Sequence, residues 1–406
     1  MITLQSFHLG HALRALAVVF CAALTVSCGG GSGGVDTGGT GGTVQTFSSG
    51  RIEGFGSVIV NGVRFDDSTA EVKDDDDADF SRSSLKLGMV VDVVAGAITT
   101  DAVTGARTGT AKTLLLGSEM KGPVQAVNIA AGTLTVLDQV VTVDASTVFD
   151  DFSNRLASVQ VGDLVELHSF FNANAGSHTA TRIERKTSLA EYKLRGRITS
   201  LTGTTMVVGG ATISFATIPS AELPALSVGL VVRVKLSTIR QGTTWIATKV
   251  RTSVQRIPDR AEVELEGFVT DFVSLASFKV NGTAVNASSV GIVFEDGTSG
   301  QVANGVHLEV EGEIRSGVLV ARKVEFEHSG EVDEIELHGT ITSVSAVGVL
   351  PSSFVVRGIT VVYNAQTRFE DRATVASLVI GARVEVKAGP SATGNFLLAS
   401  KIKIER

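Results

Sequence analysis

Three aspartates in an acidic run have a spacing that could bind a calcium ion. Asp75, Asp77 and Asp79 alternate with their neighbours inside the run 74–79. Alternate carboxylates of this kind supply oxygen ligands in calcium-binding loops. The run lacks both the glycine and the terminal bidentate glutamate of an EF-hand loop. We therefore hold two interpretations open, a solvated acidic loop and a weak divalent-cation site.

The histidines and cysteines give little indication of catalytic chemistry. The histidines beyond position 28 are His168, His178, His307, His328 and His338. None has a second histidine or a cysteine two to four residues away, and no G-x-S-x-G nucleophile motif occurs outside the Gly-rich stretch 29–49. Convergence of the last three at one metal site is a weaker alternative to solvated histidines. The sequence therefore predicts a protein that is not an enzyme and has no cofactor, with a hydrolase as the less favoured alternative.

The N-terminal segment has the features of an export signal. Residues 15–26 form an apolar run of 12 residues that follows Arg14. A bilayer core requires roughly 20 apolar residues, so this run is too short to span one. Its length suits the apolar region of a signal peptide. We expect the segment to direct the chain out of the cytoplasm.

The residues after this run resemble the lipobox of bacterial lipoprotein precursors. Residues 24–28 read Leu-Thr-Val-Ser-Cys, with Thr25 where that motif usually has leucine. The resemblance implies cleavage before Cys28 and lipid attachment to its thiol, and the alternative is an ordinary secretory signal with Cys28 incidental. Residues 29–49 are rich in Gly, Ser and Thr, which as a random coil would span about 25 Å. The absence of Asp after Cys28 favours the outer membrane over the inner.

Charge and composition limit the partners. The formal net charge is -7, and aromatic residues make up 5% of the chain. Nucleic-acid binding normally draws on clustered Lys and Arg, and along the sequence the basic residues are scattered. We expect the partners to be the membrane, through the lipid on Cys28, and an envelope protein or glycan. Both cysteines, Cys21 and Cys28, precede the folded part, so no disulfide is expected there.

The pattern of strands and turns that would position these residues repeats five times along the chain. A glycine that opens a strand recurs at spacings of 71 to 74 residues, at Gly50, Gly122, Gly196, Gly267 and Gly339. A turn pair follows at Asn61-Gly62, Asp138-Gln139, Gly209-Gly210, Asn281-Gly282 and Arg357-Gly358. A second glycine precedes an alternating strand at Gly88, Gly162, Gly229, Gly305 and Gly381. A closing strand carries Ala111, Ala180, Ala247, Ala321 or Ala399. Four landmarks in one order indicate tandem copies of one unit.

Each repeat predicts a small all-β module. In the fourth repeat Val263 and Leu265 alternate with Glu262, Glu264 and Glu266, which predicts a strand with one apolar face and one solvated face. About five such strands in roughly 70 residues suit a closed five-stranded, OB-like barrel, because closure removes the sheet edges. The alternative architecture is a single five-bladed β-propeller.

The predicted organisation has seven parts. They are a lipoprotein signal peptide at 1–27, an acylated cysteine with its tether at 28–49, and modules at 50–119, 120–191, 192–261, 262–334 and 335–406.

The repeated pattern resembles a known family. The opening G-x-[IV], the V-N-G hairpin, the central G-x-x-V-x-V and the closing A-x-[KR]-[IV] are similar to those of the bacterial domain-of-unknown-function family 5666. The resemblance implies small β modules, often in tandem, in secreted proteins and lipoproteins. It implies no catalytic residues.

These observations predict a membrane-anchored envelope lipoprotein that is a non-enzymatic scaffold, spacer or binding array. The alternative is OB-like binding of a small solute or oligosaccharide in a groove on a barrel face. An exposed Trp245 or Tyr363 would favour that alternative, because aromatic rings stack on such ligands.

Overall fold

A computed structural model of the protein describes residues 45–74, 76, 78–253, 257–327, 334–345, 352–371, 373–391 and 394–405. These residues belong to one compact unit. The unit is all-β, as the sequence predicts. Its helices, within those ranges, are five short 3₁₀ turns at Arg82–Ser84, Arg155–Ser158, Ser220–Glu222, Ser299–Gln301 and Val375–Ser377. None of the helices described is long and apolar enough to cross a bilayer.

The strands fall into five successive modules. Module 1 contains β1 (Thr46–Arg51), β2 (Gly54–Phe55), β3 (Val58–Val60), β4 (Val63–Asp66), β5 (Glu71–Asp74), β6 (Val90–Ala95), β7 (Thr99–Thr100) and β8 (Arg107–Leu116). Module 2 contains β9 (Met120–Asn128), β10 (Thr133–Val136), β11 (Gln139–Thr142), β12 (Val148–Asp150), β13 (Leu164–Asn172) and β14 (Ser177–Lys186). Module 3 contains β15 (Tyr192–Thr202), β16 (Thr205–Val208), β17 (Ala211–Ser214), β18 (Val231–Leu236) and β19 (Trp245–Thr252). Module 4 contains β20 (Arg260–Ser274), β21 (Ser277–Val280), β22 (Thr283–Asn286), β23 (Val293–Glu295), β24 (His307–Arg315) and β25 (Val318–Phe326). Module 5 contains β26 (Ile335–Val344), β27 (Ser352–Val356), β28 (Ile359–Tyr363), β29 (Arg368–Glu370), β30 (Arg383–Pro390) and β31 (Leu397–Ile404).

Every module closes into a barrel through the same order of strand pairing. In module 2, β9 pairs with β10 and β10 with β11, both antiparallel, and β11 then lies parallel to β14. Strand β14 pairs with β13, which returns to β9 and closes the ring. Modules 3, 4 and 5 repeat this order, and in module 1 the opening strand is divided into β1 and β2. A five-stranded barrel with one parallel pair is OB-like. The structure therefore has small barrels rather than propeller blades.

The opening glycine of each module lies where the first strand crosses the hairpin that follows it. A Cβ atom on Gly50 would lie 2.0 Å from the side-chain oxygen of Asn61, and one on Gly122 would lie 2.7 Å from the Leu137 side chain. Both distances are below van der Waals contact, so a larger residue would push the strand off the hairpin. This close approach explains why glycine recurs at the position.

The closing alanine marks a β-bulge in all five barrels. In each module the pairing between the last two long strands shifts register, and the alanine pairs with the first residue after the shift. The partners are Ala95 of Ala111, Ser169 of Ala180, Leu236 of Ala247, Gly312 of Ala321 and Ala388 of Ala399. Bulges bend the strand and increase its twist, which a small barrel needs in order to close.

The predicted hairpin turns form with two differences. In module 3 Gly209 has positive φ and Gly210 does not. Both residues have positive φ in Asn61-Gly62, Asn281-Gly282 and Arg357-Gly358, as two-residue primed turns require. In module 2 the pair with positive φ is Leu137-Asp138, one residue before the predicted pair. Gln139 instead begins β11, and its side-chain amide donates to the backbone carbonyl of Val208 in module 3 over 3.0 Å.

The modules contact one another through their opening strands. Strand β1 lies parallel to β20 of module 4, and β2 lies parallel to β26 of module 5. Module 2 joins module 3 through an antiparallel pairing of β9 with β15. Strand β1 begins at Thr46, within the stretch that the sequence assigns to the tether.

The apolar side chains collect into three clusters. One cluster combines modules 1 and 5, another combines modules 2 and 3, and the third is module 4 with Phe47 of module 1. The barrels thus share buried apolar surface across module borders, which small modules of this size need for stability.

Candidate binding cleft and charged seams

Part of the predicted chemistry lies beyond the described residues. The residues concerned are Cys28, Asp75, Asp77 and His328. Of the predicted calcium ligands Asp79 is described, and it forms an isolated backbone bridge with Lys73. The lipid and calcium sites therefore stay predictions.

Asp76, inside the same acidic run, contacts module 3. Its Oδ2 lies 2.8 Å from Nζ of Lys235, and its Oδ1 lies 3.7 Å from Nη1 of Arg251. Burial alone would raise the pKa of Asp76, but the hydrogen bond and charge of Lys235 outweigh it and lower the pKa. The acidic run therefore takes part in an ion pair between modules 1 and 3.

Strand pairing produces the basic cluster that is absent from the linear sequence. Arg195 on β15 lies opposite Arg233 on β18, which lies opposite Arg251 on β19. The neighbouring row is Lys193, Lys235 and Lys249. On each strand these residues occupy alternate positions, so they point to the same face of the sheet. The register between the three strands then places them side by side.

Two histidines are buried between modules rather than solvated. Nδ1 of His168 accepts the backbone N–H of Val90 over 3.2 Å, and Nδ1 of His178 lies 3.1 Å from the Ser169 hydroxyl. Burial lowers the pKa of His168 to about 4 and that of His178 to about 3. The pair of His178 with Ser169 resembles a base and a nucleophile, but both side chains are buried and would not meet a substrate.

His338 belongs to a charged cluster that joins modules 1 and 5. With Glu336 and Glu385 it forms a group close enough to hold a metal ion. However, Nη1 of Arg64 lies 2.8 Å from Nε2 of His338, and Nη2 lies 2.6 Å from Glu336. Burial lowers the pKa of His338, but hydrogen bonds with Glu336 and Glu405 outweigh it and raise the pKa. A guanidinium lies at the metal position, and the hydrogen bonds that raise the pKa of His338 favour a proton on its ring, so these residues do not fit a metal.

The aromatic residues proposed as stacking platforms are in the core. Trp245 is 3% exposed and Tyr363 is fully buried. The Trp245 indole N–H donates to Asp138 over 2.8 Å. Ligand stacking on either ring is therefore not available in this structure.

A cleft of about 1210 Å³, the three-module cleft, opens where modules 1, 2 and 5 meet. Module 1 lines it with residues 55–57 and 66–68, module 2 with residues 147–153, and module 5 with residues 357–360 and 394–397. Residues 55–57 lie at the end of the first strand of the module 1 barrel, and residues 394–397 lie in the connection between the last two strands of the module 5 barrel and at the start of its last strand. In OB-like barrels these two connections border the usual ligand face. The cleft therefore combines the ligand-face loops of two barrels.

Three guanidinium groups line the three-module cleft without a carboxylate partner. Arg82 and Arg357 each donate to one backbone carbonyl, over 2.6 and 2.8 Å respectively. Arg155 donates to three, those of Asp144, Ala145 and Ser391, over 2.7, 3.3 and 3.1 Å. The guanidinium of Arg155 lies 5.2 Å from the ring centre of Phe149, and that of Arg357 lies 5.6 Å from the ring centre of Phe55. Within the described ranges none of the three lies within ion-pair distance of a carboxylate. Hydrogen bonds from Ser68, and after them the charge of Arg82, lower the pKa of Asp66 in the same cleft. Burial lowers the pKa of Arg155, and the charge of Asp144 opposes that shift only in part.

The same cleft presents carboxylates and hydroxyls. Asp66 and Asp151 are exposed, Asp67 is half-buried, and Asp66 accepts the backbone N–H of Ser68 over 3.0 Å. The hydroxyls are those of Ser57, Ser83 and Ser153. The cleft therefore offers hydrogen-bond donors and acceptors side by side.

An ion-pair network forms the wall between modules 1 and 2. Nζ of Lys86 lies 2.6 Å from Asp150 and 3.2 Å from Glu184, and buried Arg182 pairs with both carboxylates. Arg182 also donates to the Leu87 carbonyl over 3.0 Å. Burial raises the pKa of Asp150, but the charges of Arg182 and Lys86 outweigh it and lower the pKa. The network fixes one wall of the cleft.

The contact of β1 with β20, the 1–4 seam, buries glutamates that the alternation predicts to be solvated. Ser48 donates to Glu264 over 3.2 Å, and the backbone N–H of Arg51 donates to Glu266 over 3.1 Å. Arg107 also pairs with Glu264. Glu264 is 1% exposed and Glu266 is 2% exposed. The strand that covers them lies more than 200 residues earlier in the chain, so the local pattern carries no sign of it.

Burial makes these glutamates change their charge near neutral pH. It raises the pKa of Glu264, Glu266 and Glu327 to about 7 in each case. Glu309 lies opposite Glu266 on β24, and burial together with the charges of neighbouring glutamates raises its pKa well above the ordinary value. The seam therefore contains several carboxyl groups whose charge changes near pH 7.

Comparisons with known proteins agree with the repeat. The family model described as "Domain of unknown function (DUF5666)" matches residues 121–184, 195–251, 266–325 and 338–403, which lie in modules 2 to 5. No curated protein matches the chain significantly. A solved structure titled "drosophila Unr CSD456" is 13% identical, with 76% of this chain and 99% of that chain covered and a TM-score of 0.14. A TM-score of that size carries no argument.

Proposed function

We propose, because this chain belongs to the DUF5666 family, that it is a lipid-anchored, non-enzymatic binding unit of the cell envelope. The observation that carries the proposal is the three-module cleft, which no single module could form. The modules pair out of sequence order, with module 1 against modules 4 and 5, so the array folds back on itself. This arrangement favours a binding unit over an extended spacer.

The sequence around Cys28 supports the anchor. An apolar run, a small residue before the cysteine and a Gly-rich stretch after it are together typical of exported lipoproteins. Acyl chains contribute about 0.8 kcal/mol for each buried CH₂ group, so several chains would hold the protein stably. The outer membrane is the favoured location.

The described histidines support a role other than catalysis. His168 and His178 are buried with low pKa values, and His338 is held among charged partners. A general base works best when its pKa lies near the operating pH and it can reach the substrate. These residues do not combine both properties.

Detergent phase partitioning tests the anchor. The parent chain should enter the detergent phase, and Cys28→Ala should enter the aqueous phase. Cys21→Ala is the matched control and should partition as the parent does. Equal partitioning of Cys28→Ala and parent would contradict the anchor.

Capture from isolated envelopes tests the cleft. The Cys28→Ala chain should retain an envelope component that the same chain with Arg82→Gln and Arg357→Gln does not retain. Both arginines are exposed, so their replacement should leave the fold intact. Equal retention by the two chains would show that the cleft is not the binding site.

A further inference from the structure

We propose that the three-module cleft binds an acidic oligosaccharide whose carboxylates pair with Arg82, Arg155 and Arg357. The inference deepens the proposed function, because it names a ligand class for the same cleft. It does not depend on the lipid anchor.

The first argument concerns the state of the guanidinium groups. Each of the three is fixed by a bond to a backbone carbonyl, and two also lie against an aromatic ring. A carbonyl fixes the direction of a guanidinium without neutralising its charge. Arginine offers five N–H donors in a planar fork, so N–H groups are left for a carboxylate. The groups are therefore oriented in advance for an anion.

The second argument is energetic. Arg155 is half-buried, and among the described residues no carboxylate pairs with it. A cation that has lost part of its hydration is unfavourable until an anion compensates it. Buried Arg182, by contrast, has carboxylate partners in Asp150 and Glu184. A ligand carboxylate at the cleft would give Arg155 the same compensation.

The third argument separates a saccharide from a nucleic acid. Asp66, Asp67 and Asp151 line the same cleft as the arginines. Ionised carboxylates only accept hydrogen bonds, and sugar hydroxyls supply the donors that they need. A DNA backbone offers phosphate acceptors and no hydroxyl donors along its length, so it would leave these carboxylates without hydrogen-bond donors. Alternating donors and acceptors fit a chain that carries both hydroxyls and carboxylates.

The size of the cleft sets the length of the ligand. Small-molecule sites usually occupy about 300–1,000 Å³. The three-module cleft has about 1210 Å³ and is bordered by three barrels. This volume exceeds the need of a single sugar and suits a chain of several units.

Calorimetric titration of the full-length Cys28→Ala chain with trigalacturonic acid tests the proposal. Trigalacturonic acid should bind, and its methyl ester should bind at least about tenfold more weakly, because the charge-assisted bonds are lost. Arg82→Gln and Arg357→Gln should each weaken binding by about tenfold. Arg368→Gln is the matched control, because Arg368 is 77% exposed in module 5 and lies outside the cleft.

Several outcomes would overturn the proposal. Equal binding of the acid and its methyl ester would show that carboxylates are not recognised. Tighter binding of an oligothymidylate of similar length would assign the cleft to nucleic acid. No binding of trigalacturonic acid, while the same chain captures an envelope component through the cleft, would refute the acidic saccharide alone and leave the proposed function standing. Loss of both would refute both.

Discussion

Glu266 and His307 face each other in the 1–4 seam, with Oε1 of the carboxyl 3.4 Å from Nε2 of the ring. Both atoms are buried, and neither has a hydrogen-bond partner within the described residues. Phe268 stacks on the imidazole at 4.6 Å between ring centres. Burial raises the pKa of Glu266 to about 7 and lowers that of His307 to about 3. A protonated carboxyl beside a neutral imidazole is therefore the favoured state in mildly acidic solution.

We expect the seam glutamates to make stability fall as the pH rises through 7. Such a carboxyl has a pKa of about 7 in the folded state and of 4.5 in the unfolded state. Between these two pH values the folded state therefore binds more protons than the unfolded state does. Its contribution is thus greatest below pH 4.5 and lost above about 7. The buried histidines act in the opposite direction below pH 6.5, because burial lowers their pKa values. Thermal unfolding at about pH 6.5 and about pH 8 should show the decline.

Glu266→Gln isolates this effect, because glutamine resembles the protonated carboxyl. The variant should match the parent near pH 5 and exceed its stability near pH 8 by on the order of 2–3 kcal/mol. Glu313→Gln, on β24 and outside the contacts of the seam, is the control and should show no such pH-dependent gain. A constant difference between Glu266→Gln and the parent at all pH values would contradict the assignment.

The repeat and the barrel were accessible from the sequence, whereas the seam was not. Gly50 is required where the first strand crosses the hairpin, and Ala111 lies at a β-bulge. Both requirements are local to the module, so the same residue types recur in all five copies. Glu264 and Glu266 have the alternation of a solvated face, and a strand from another module covers them. Binary patterning reports which side of a strand is polar. It does not report which distant surface later packs against that side.

The rows of basic residues and the three-module cleft could not be predicted either, because both depend on contacts between strands or modules that are distant in sequence. Arg195, Arg233 and Arg251 lie on three strands and meet only through register. Arg82 and Arg357 come from modules 1 and 5, whose contact depends on the pairing of β2 with β26. No residue spacing within one repeat encodes contacts between repeats.

Gly50→Ala should destabilise the protein. The added Cβ would lie 2.0 Å from the Asn61 side chain and 2.9 Å from Glu266, at the crossing of strand and hairpin. Overpacking of this kind typically costs about 1–3 kcal/mol. Gly96→Ala is the control, because a Cβ there meets nothing within 4 Å. Urea unfolding that gives equal midpoints for both variants would refute the steric explanation.

Arg182→Met should weaken the contact between modules 1 and 2. After the change, Lys86 would still pair with Asp150 and Glu184, and Lys186 with Glu184. The hydrogen bond from Arg182 to the Leu87 carbonyl would be lost. Breaking a buried ion pair costs about 3–5 kcal/mol, and the two lysines should reduce that loss. Hydrogen exchange should speed up in residues 85–90 and 147–150. Arg185→Met, whose side chain is 39% exposed, is the control and should leave that exchange near the parent's.

Asp76→Asn separates the two interpretations of the acidic run. If the run works through its ion pairs with Lys235 and Arg251, the variant should lose no more than about 1 kcal/mol, because these side chains are partly exposed. The loss should shrink at high salt, which screens such pairs. Added calcium in the millimolar range should then leave the melting temperature of the parent unchanged. A rise in that temperature with calcium, abolished by Asp75→Asn with Asp77→Asn, would instead establish the cation site, because an ion that binds the folded state stabilises it further as its concentration increases.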